Sequence, residues 1–494
     1  MDYLFKTEPY QHQLERFIAT RDREFYGFLW EMGSGKSKIV IDTSGWLYCR
    51  GEITGVLIVA PNGVHRNWID QEYPTHYPND FGLRSAYWVA DPKKKEKEAL
   101  EYLFANQNQS MDLVVLSMNV EALATKRGRE FAEKFLLTFR CMMVVDESTT
   151  IKNPSAVRTK TVLKLGRMAA YRRILNGTPV TNNPLDIYTQ FTFLDEEILR
   201  CSSYYAFRNR YAILKEMTTR NQPRSFKVVV GYQNIEELQR LIEPHSHRVR
   251  KEDCLDLPDK IYMKRIVEMT KKQASLYADV AKNLISEFSG MRMVTPLALT
   301  KILRLQQITG GFWCPEEVGE AVAIDGKNPR LDSLMEVLED SDGKVIIWAR
   351  FRAEIAQIED AIRNEYGAGS LVSYHGGISK EDRAEAIARF QGRRQIIENG
   401  KEIDQARFFV ANQQSAGMGL TLTAATTVVY YSNSFNYADR VQSEDRAHRI
   451  GQKHPVTYVD LFCPGTIDEK IMNSLRMKRD YAQMITGDNL QEWI

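Results

Sequence analysis

Short apolar runs separated by helix-patterned stretches organise the first part of this chain. Val56–Ala60, Leu113–Leu116, Met142–Val145 and Arg173–Leu175 read as short strands buried on both faces. They lack the apolar–polar alternation of a strand with one wet face. Residues 10–25 and Lys38–Tyr48 read as helices, and Gly27-Phe28-Leu29-Trp30 as an apolar approach to a glycine-rich turn. Strands alternating with helices predict a parallel sheet with crossover helices, the α/β class.

The rhythm changes after residue 190. Glu196–Thr219, Ile235–Ile242 and Lys271–Phe288 read as long polar helices, with strands at Phe226–Val230 and Ile261–Met269. This segment is expected to be mainly helical, its strands partly returning to the first sheet. A second α/β pattern starts near Asp325. Helices are expected at Arg330–Leu338, Ala353–Glu365, Lys380–Gln391 and Thr466–Met484. Strands are expected at Val345–Trp348, Leu371–Tyr374, Phe408–Ala411, Val428–Tyr431 and Val456–Phe462, with a polar loop or hairpin over Gly392–Gln405. The predicted domains are 1–195, a helical insertion 196–325, and 326–494.

Composition narrows the field. A length of 494 residues exceeds one typical core. Hydrophobic content of 43% and charged content of 26% are ordinary for a globular protein. A net charge of +2 advertises no bulk polycation, so any nucleic-acid surface must come from local clustering. The mixed run Lys93–Glu98 reads as a solvated helix face. Met1–Lys6 lacks the apolar run of a signal peptide, and no stretch suits a membrane span. Cys49, Cys141, Cys201, Cys254, Cys314 and Cys463 form no C-x-x-C pair, which suits reduced thiols and a cytoplasmic location. His245, His247 and Cys254 do not have zinc-site spacing.

Two motifs carry the chemistry. Trp30–Lys38 contains Gly33-Ser34-Gly35-Lys36-Ser37, a turn whose backbone N–H groups can face phosphates. Lys36 would reach the β- and γ-phosphates, and the Ser37 hydroxyl would ligate Mg²⁺. Far downstream, an apolar run ends in Asp146-Glu147. Asp146 would hold the metal and Glu147 would polarise the attacking water. ATP and Mg²⁺ are the expected ligands.

The wider constellation resembles the Snf2/Swi2-like branch of superfamily 2 helicases. The resemblance implies two tandem RecA-like lobes of parallel sheet flanked by helices, with ATP between them. Pro9-Tyr10-Gln11 resembles the adenine-recognising motif, which assigns Gln11 to the base. Ala60-Pro61-Asn62 with Trp68, and Leu116-Ser117-Met118-Asn119, resemble two motifs that face the nucleic-acid backbone. Asp146-Glu147-Ser148-Thr149 departs from the family's Asp-Glu-Ala/Gly-His, keeping both acids and losing the histidine. Lys152-Asn153 matches the Ile-Lys-Asn segment. Leu175-Asn176-Gly177-Thr178-Pro179 resembles Leu-Thr-Gly-Thr-Pro and assigns Thr178 to coupling the nucleotide state between lobes. Arg248-x-Arg250-Lys251 matches a further segment.

In the second pattern, Gln442-x-x-x-Arg446-x-x-Arg449-Ile450-Gly451-Gln452 matches the family's last motif. The spacing puts Gln442, Arg446 and Arg449 near one helix face. The resemblance brings Arg446 and Arg449 to the γ-phosphate, where a planar guanidinium stabilises phosphoryl transfer. Ser415–Leu422 resembles the preceding motif, with Gly419 near the nucleotide and Ser415 near DNA. Arg350, Arg352 and His375 join Asn62, Ser117, Asn119, Lys152 and Asn153 as expected DNA contacts.

These matches imply a compact bacterial or phage-type ATPase that tracks duplex DNA, branched DNA included, acting as a monomer. The helical insertion is a candidate surface for a protein partner. Two rival DNA motors share the same motifs, a strand-separating helicase and a fork-remodelling or annealing motor. A third rival is an ATP-gated DNA clamp that moves little.

Overall fold

A computed structural model describes residues 3–62, 64–105, 112–219, 222–254, 257–290, 295–313, 321–324, 326–392, 396–398, 401–403, 406–414 and 420–486. The chain forms two compact units. The first gathers 1–218, 224–255 and 478–494; the second takes 219–223 and 256–477.

The first unit is built on strands β1 (Phe25–Trp30), β2 (Gly55–Ala60), β3 (Gly82–Tyr87), β4 (Asp112–Asn119), β5 (Cys141–Asp146) and β6 (Tyr171–Leu175). A two-stranded sheet of β7 (Ala212–Thr219) and β8 (Gln222–Tyr232) follows, then β9 (Ser246–Val249). The main sheet runs β3-β4-β2-β5-β6-β1-β9, and every neighbouring pair is parallel. Its central strands are apolar on both faces because helices cover both. Val56, Ile58, Val115, Met142 and Val144 are completely buried in one core with Phe28 and Trp30. In a parallel sheet all carboxyl ends share one edge, so Trp30, Ala60, Asn119, Asp146 and Leu175 end side by side. That topology, rather than proximity in sequence, assembles the motifs.

The second unit holds β10 (Lys260–Ile266), β11 (Phe312–Trp313), β12 (Val322–Ala323), β13 (Lys344–Trp348), β14 (Leu371–Tyr374), β15 (Ile396–Glu398), β16 (Lys401–Ile403), β17 (Phe408–Ala411), β18 (Ala425–Tyr430) and β19 (Val456–Phe462). Its parallel sheet runs β10-β19-β18-β13-β17-β14. One core lies on each face, with Val345, Ile347 and Val410 on one side and Ile346, Phe409 and Val428 on the other. The expected fold class, two α/β lobes with a helical insertion, is what the structure shows.

Two local expectations are corrected, and two strands lie where none was expected. Glu196–Thr219 is not one helix: a helix over Tyr204–Tyr211 gives way to β7. The strand near Ile261 does not return to the first sheet but forms the edge of the second. Two strands of the first sheet, β3 and β9, carry too many polar residues to show an apolar run; the guanidinium of Arg84 in β3 is buried against Asp112 at 3.2 Å. Among the described residues, no helix is long and apolar enough to cross a membrane.

Candidate active site

The phosphate loop follows β1 directly and leads into the helix Lys36–Cys49. Gly33 and Gly35 both have positive φ, +84° and +86°, the left-handed backbone that lets successive N–H groups face one way. A second constraint acts at Gly35, where an added Cβ would lie 1.8 Å from the Gln13 amide nitrogen. Lys36 Nζ donates to the carbonyls of Trp30 at 2.8 Å and Glu31 at 3.1 Å. Ser37 sits on the first turn of the helix and is half-buried.

The glutamine that meets this loop is Gln13, not Gln11. Gln11 is exposed and its side-chain amide donates to Glu15 at 2.6 Å. Gln13 is buried, donates to the Ser34 carbonyl at 3.2 Å and accepts from the Tyr10 N–H at 2.9 Å. His12 contacts the same Ser34 carbonyl at 2.9 Å. Helical geometry decides this, because residues two apart on a helix face different ways.

Asp146 closes β5 and is buried. One carboxylate oxygen accepts from the Trp68 indole N–H at 3.0 Å, the other from the Glu147 N–H at 2.9 Å. Burial raises its pKa; the Trp68 hydrogen bond, the Lys36 charge and the Glu147 N–H pull it back. A divalent cation would favour the ionised form for the same reason Lys36 does. A carboxylate and a hydroxyl are hard oxygen donors of the kind Mg²⁺ takes, so the chemistry of Asp146 and Ser37 fits that ion. Trp68 was expected to face nucleic acid, yet it is buried and serves Asp146. Glu147 sits at φ +48°, ψ +60°, a left-handed conformation that costs a non-glycine residue energy.

Arg248 in β9 binds the residues that lead into the loop. Its guanidinium donates to the Leu29 carbonyl at 2.9 Å, the Gly177 carbonyl at 3.0 Å and the Glu31 carboxylate at 3.0 Å. It thereby joins the phosphate loop to the Thr178 segment. In the same strand His247 accepts from the Trp30 indole N–H at 3.2 Å. Burial, with the charges of Arg16 and His12, lowers its pKa to about 4.

In the second unit, Arg446 is buried and Arg449 half-buried. Both donate to the Leu420 carbonyl, at 3.4 and 3.1 Å. The expected single helix face is not what unites them. The helix Tyr437–Ala447 stops before Arg449, which lies in a bend ahead of Gly451 at φ +100°. Gln442 lies half-buried on that helix. Gln452 is a buried clasp, donating to three carbonyls and accepting from the N–H groups of Lys453 and His454. Ser415 and Gly419 lie outside the described residues.

The expected DNA contacts separate. Asn62, Asn153 and Arg352 are exposed, and Asn119 and His375 half-buried. Ser117 is completely buried inside β4, so it meets no phosphate. Lys152 turns toward Thr181 and forms an ion pair with Asp186 at 4.0 Å. Arg350 is bound to Gln306, and its backbone N–H donates to Glu354 and Ser432.

Residues 10–310 match the SNF2-related domain and residues 326–451 the helicase conserved C-terminal domain. The chain therefore belongs to the SNF2-related family of superfamily 2 helicase-like proteins. YwqA of Bacillus subtilis is 27% identical over 450 residues, covering 89% of this chain and 44% of that protein. The ATP-dependent helicase brm of Drosophila melanogaster is 24% identical, over 97% of this chain and 30% of that one. The chain thus spans less than half the length of either relative. A solved SWI2/SNF2 ATPase core of Sulfolobus solfataricus in complex with dsDNA aligns over 99% of this chain and 96% of that one, at 25% identity and a TM-score of 0.41.

Proposed function

We propose that this chain is an ATP-dependent motor acting on double-stranded DNA. One observation carries the reading: the phosphate loop with Lys36 and the Asp146-Glu147 turn end on one sheet edge in a chain of the SNF2-related family. Lys36 and the loop amides hold the phosphates. Asp146 and Ser37 would hold Mg²⁺, which would supply positive charge to the phosphates. Glu147 orients the attacking water. Arg446 and Arg449, in the second unit, are assigned to ATP hydrolysis by the family motif alone. Phosphate contacts made without reading bases predict little sequence preference and a steep loss of affinity with salt. The protein works as a monomer, and its compact, bacterial or phage-type character rests on the sequence resemblance alone.

The test is steady-state ATP hydrolysis at fixed low salt with blunt duplex DNA, single-stranded DNA, RNA or no nucleic acid. Stimulation confined to duplex is the expected result, with triplex displacement then reporting movement. Equal rates in all four arms would sink the DNA-coupled motor and leave an ATP-gated assembly role.

A further inference from the structure

At the back of the site three buried polar side chains close on one another. Ser148, Asn176 and Gln190 are each at most 1% exposed. Ser148 follows Asp146-Glu147, Asn176 follows β6, and Gln190 lies on the helix Ile187–Leu194. The Ser148 hydroxyl donates to Gln190 Oε1 at 2.5 Å and accepts from Asn176 Nδ2 at 3.1 Å. Asn176 Nδ2 also reaches Gln190 Oε1 at 3.2 Å, and Asn176 Oδ1 accepts from the Thr178 N–H at 2.9 Å. Gln190 Nε2 donates to the carbonyls of Pro179 and Asp186, both at 2.7 Å. Asp186 in turn accepts from the Thr181 N–H at 3.0 Å and the Asn182 N–H at 2.8 Å.

Every polar atom in this trio has a partner, and neither amide can flip without setting donor against donor. A fully satisfied buried network has one low-energy arrangement, so displacing one member displaces the rest. Its ends matter. One end is the turn carrying Glu147; the other grips the loop at the Thr178 N–H and the Pro179 carbonyl. Ser148 and Asn176 are also two positions where this chain departs from its family's usual residues. Their departures meet at one hydrogen bond.

We infer that Ser148, Asn176 and Gln190 form a relay that sets the position of the Thr178 loop according to the state of the Asp146-Glu147 turn. These are positioning residues; none touches the reacting atoms. The relay rests on the proposed nucleotide site.

The experiment combines Ser148→Ala and Asn176→Thr, alone and together, with three readouts: kcat for ATP, Kd for a non-hydrolysable Mg²⁺–ATP analogue, and hydrogen exchange of the Gly177–Asn183 amides with and without it. Each single variant is expected to lower kcat by about tenfold, within the loss of up to about a hundredfold that a small misplacement of catalytic geometry can cause. Kd should stay within about twofold. The analogue should slow exchange of those amides in the wild type and fail to do so in either variant. The double variant should be no worse than the poorer single, because both break one chain of bonds. Multiplying losses in kcat, or unchanged exchange coupling in both variants, would overturn the relay. So would losses confined to Kd and melting temperature, the mark of a merely structural role. A wild type that binds the analogue without turnover would defeat the motor reading alone, since the exchange readout needs no hydrolysis.

Discussion

A single atom of crowding makes Gly35 irreplaceable. Its φ of +86° already disfavours any side chain, and the Gln13 amide occupies the place of a Cβ. Gly35→Ala should therefore displace Gln13 and weaken nucleotide binding at least about tenfold, equivalent to about 1.4 kcal/mol. Binding of a fluorescent ATP analogue at the wild-type affinity would contradict this. Glu147→Gln keeps the side-chain length and the strained backbone while removing the charge. Binding should be retained and turnover abolished; substantial steady-state hydrolysis by this variant would show that Glu147 does not orient the water. Lys36→Ala should fail one step earlier, at binding. His247 gives a pH signature. Its folded pKa of about 4 lies below the ordinary histidine value, so the unfolded chain takes up the proton first as pH falls. Stability linked to this group is fully present above about pH 6.5 and is lost progressively down to about pH 4. Urea unfolding midpoints at pH 7 and pH 5 should differ less in His247→Gln than in the wild type; an identical difference would remove His247 from the account.

Between elements, buried charge sets positions that apolar packing leaves loose. Arg330 on the helix Pro329–Glu339 is 1% exposed and pairs with Asp468 on the last helix, while donating to the Tyr431 carbonyl at 3.1 Å. Removing one partner of such a pair strands the other charge away from water. Asp468→Leu should cost about 3–5 kcal/mol by urea denaturation. The double variant Arg330→Met/Asp468→Leu should recover much of that loss. A double variant less stable than both singles would mean that the pair stabilises beyond what apolar packing can replace. The same scale shows why β3 and β9 escaped the pattern of apolar runs. Both lie at edges of the sheet, where side chains such as Arg84 and Arg248 find hydrogen-bonding partners instead of a symmetric apolar core.

For the molecule as a whole, the two sheets repeat one solution: a parallel core of Val, Ile and Phe with chemistry gathered on loops. Duplex affinity carried by phosphate contacts should fall with salt, the slope of log affinity against log salt being roughly 0.9 per phosphate contact. Arg352→Ala, which removes one exposed charge at the start of the helix Arg352–Tyr366, should flatten that slope by about one contact without touching ATP affinity. A slope unchanged within error would take Arg352 out of the DNA surface.

Local chemistry was legible in the chain. Lys36 after a glycine turn, Asp146-Glu147 after an apolar strand, and the double α/β rhythm follow from backbone sterics and hydrophobic periodicity, which act over a few residues. What the tertiary structure decided is which distant side chains meet. Gln13 rather than Gln11 reaches the phosphate loop because helix phase picks the face. Trp68 serves Asp146, Arg248 ties Glu31 to Gly177, and Lys152 turns toward Asp186, because β-strands far apart in sequence end on one edge. Arg446 and Arg449 share the Leu420 carbonyl through a bend that helix spacing does not predict. Ser148, Asn176 and Gln190 read singly as ordinary polar residues. Only burial, which makes each unsatisfied donor costly, forces them into one network.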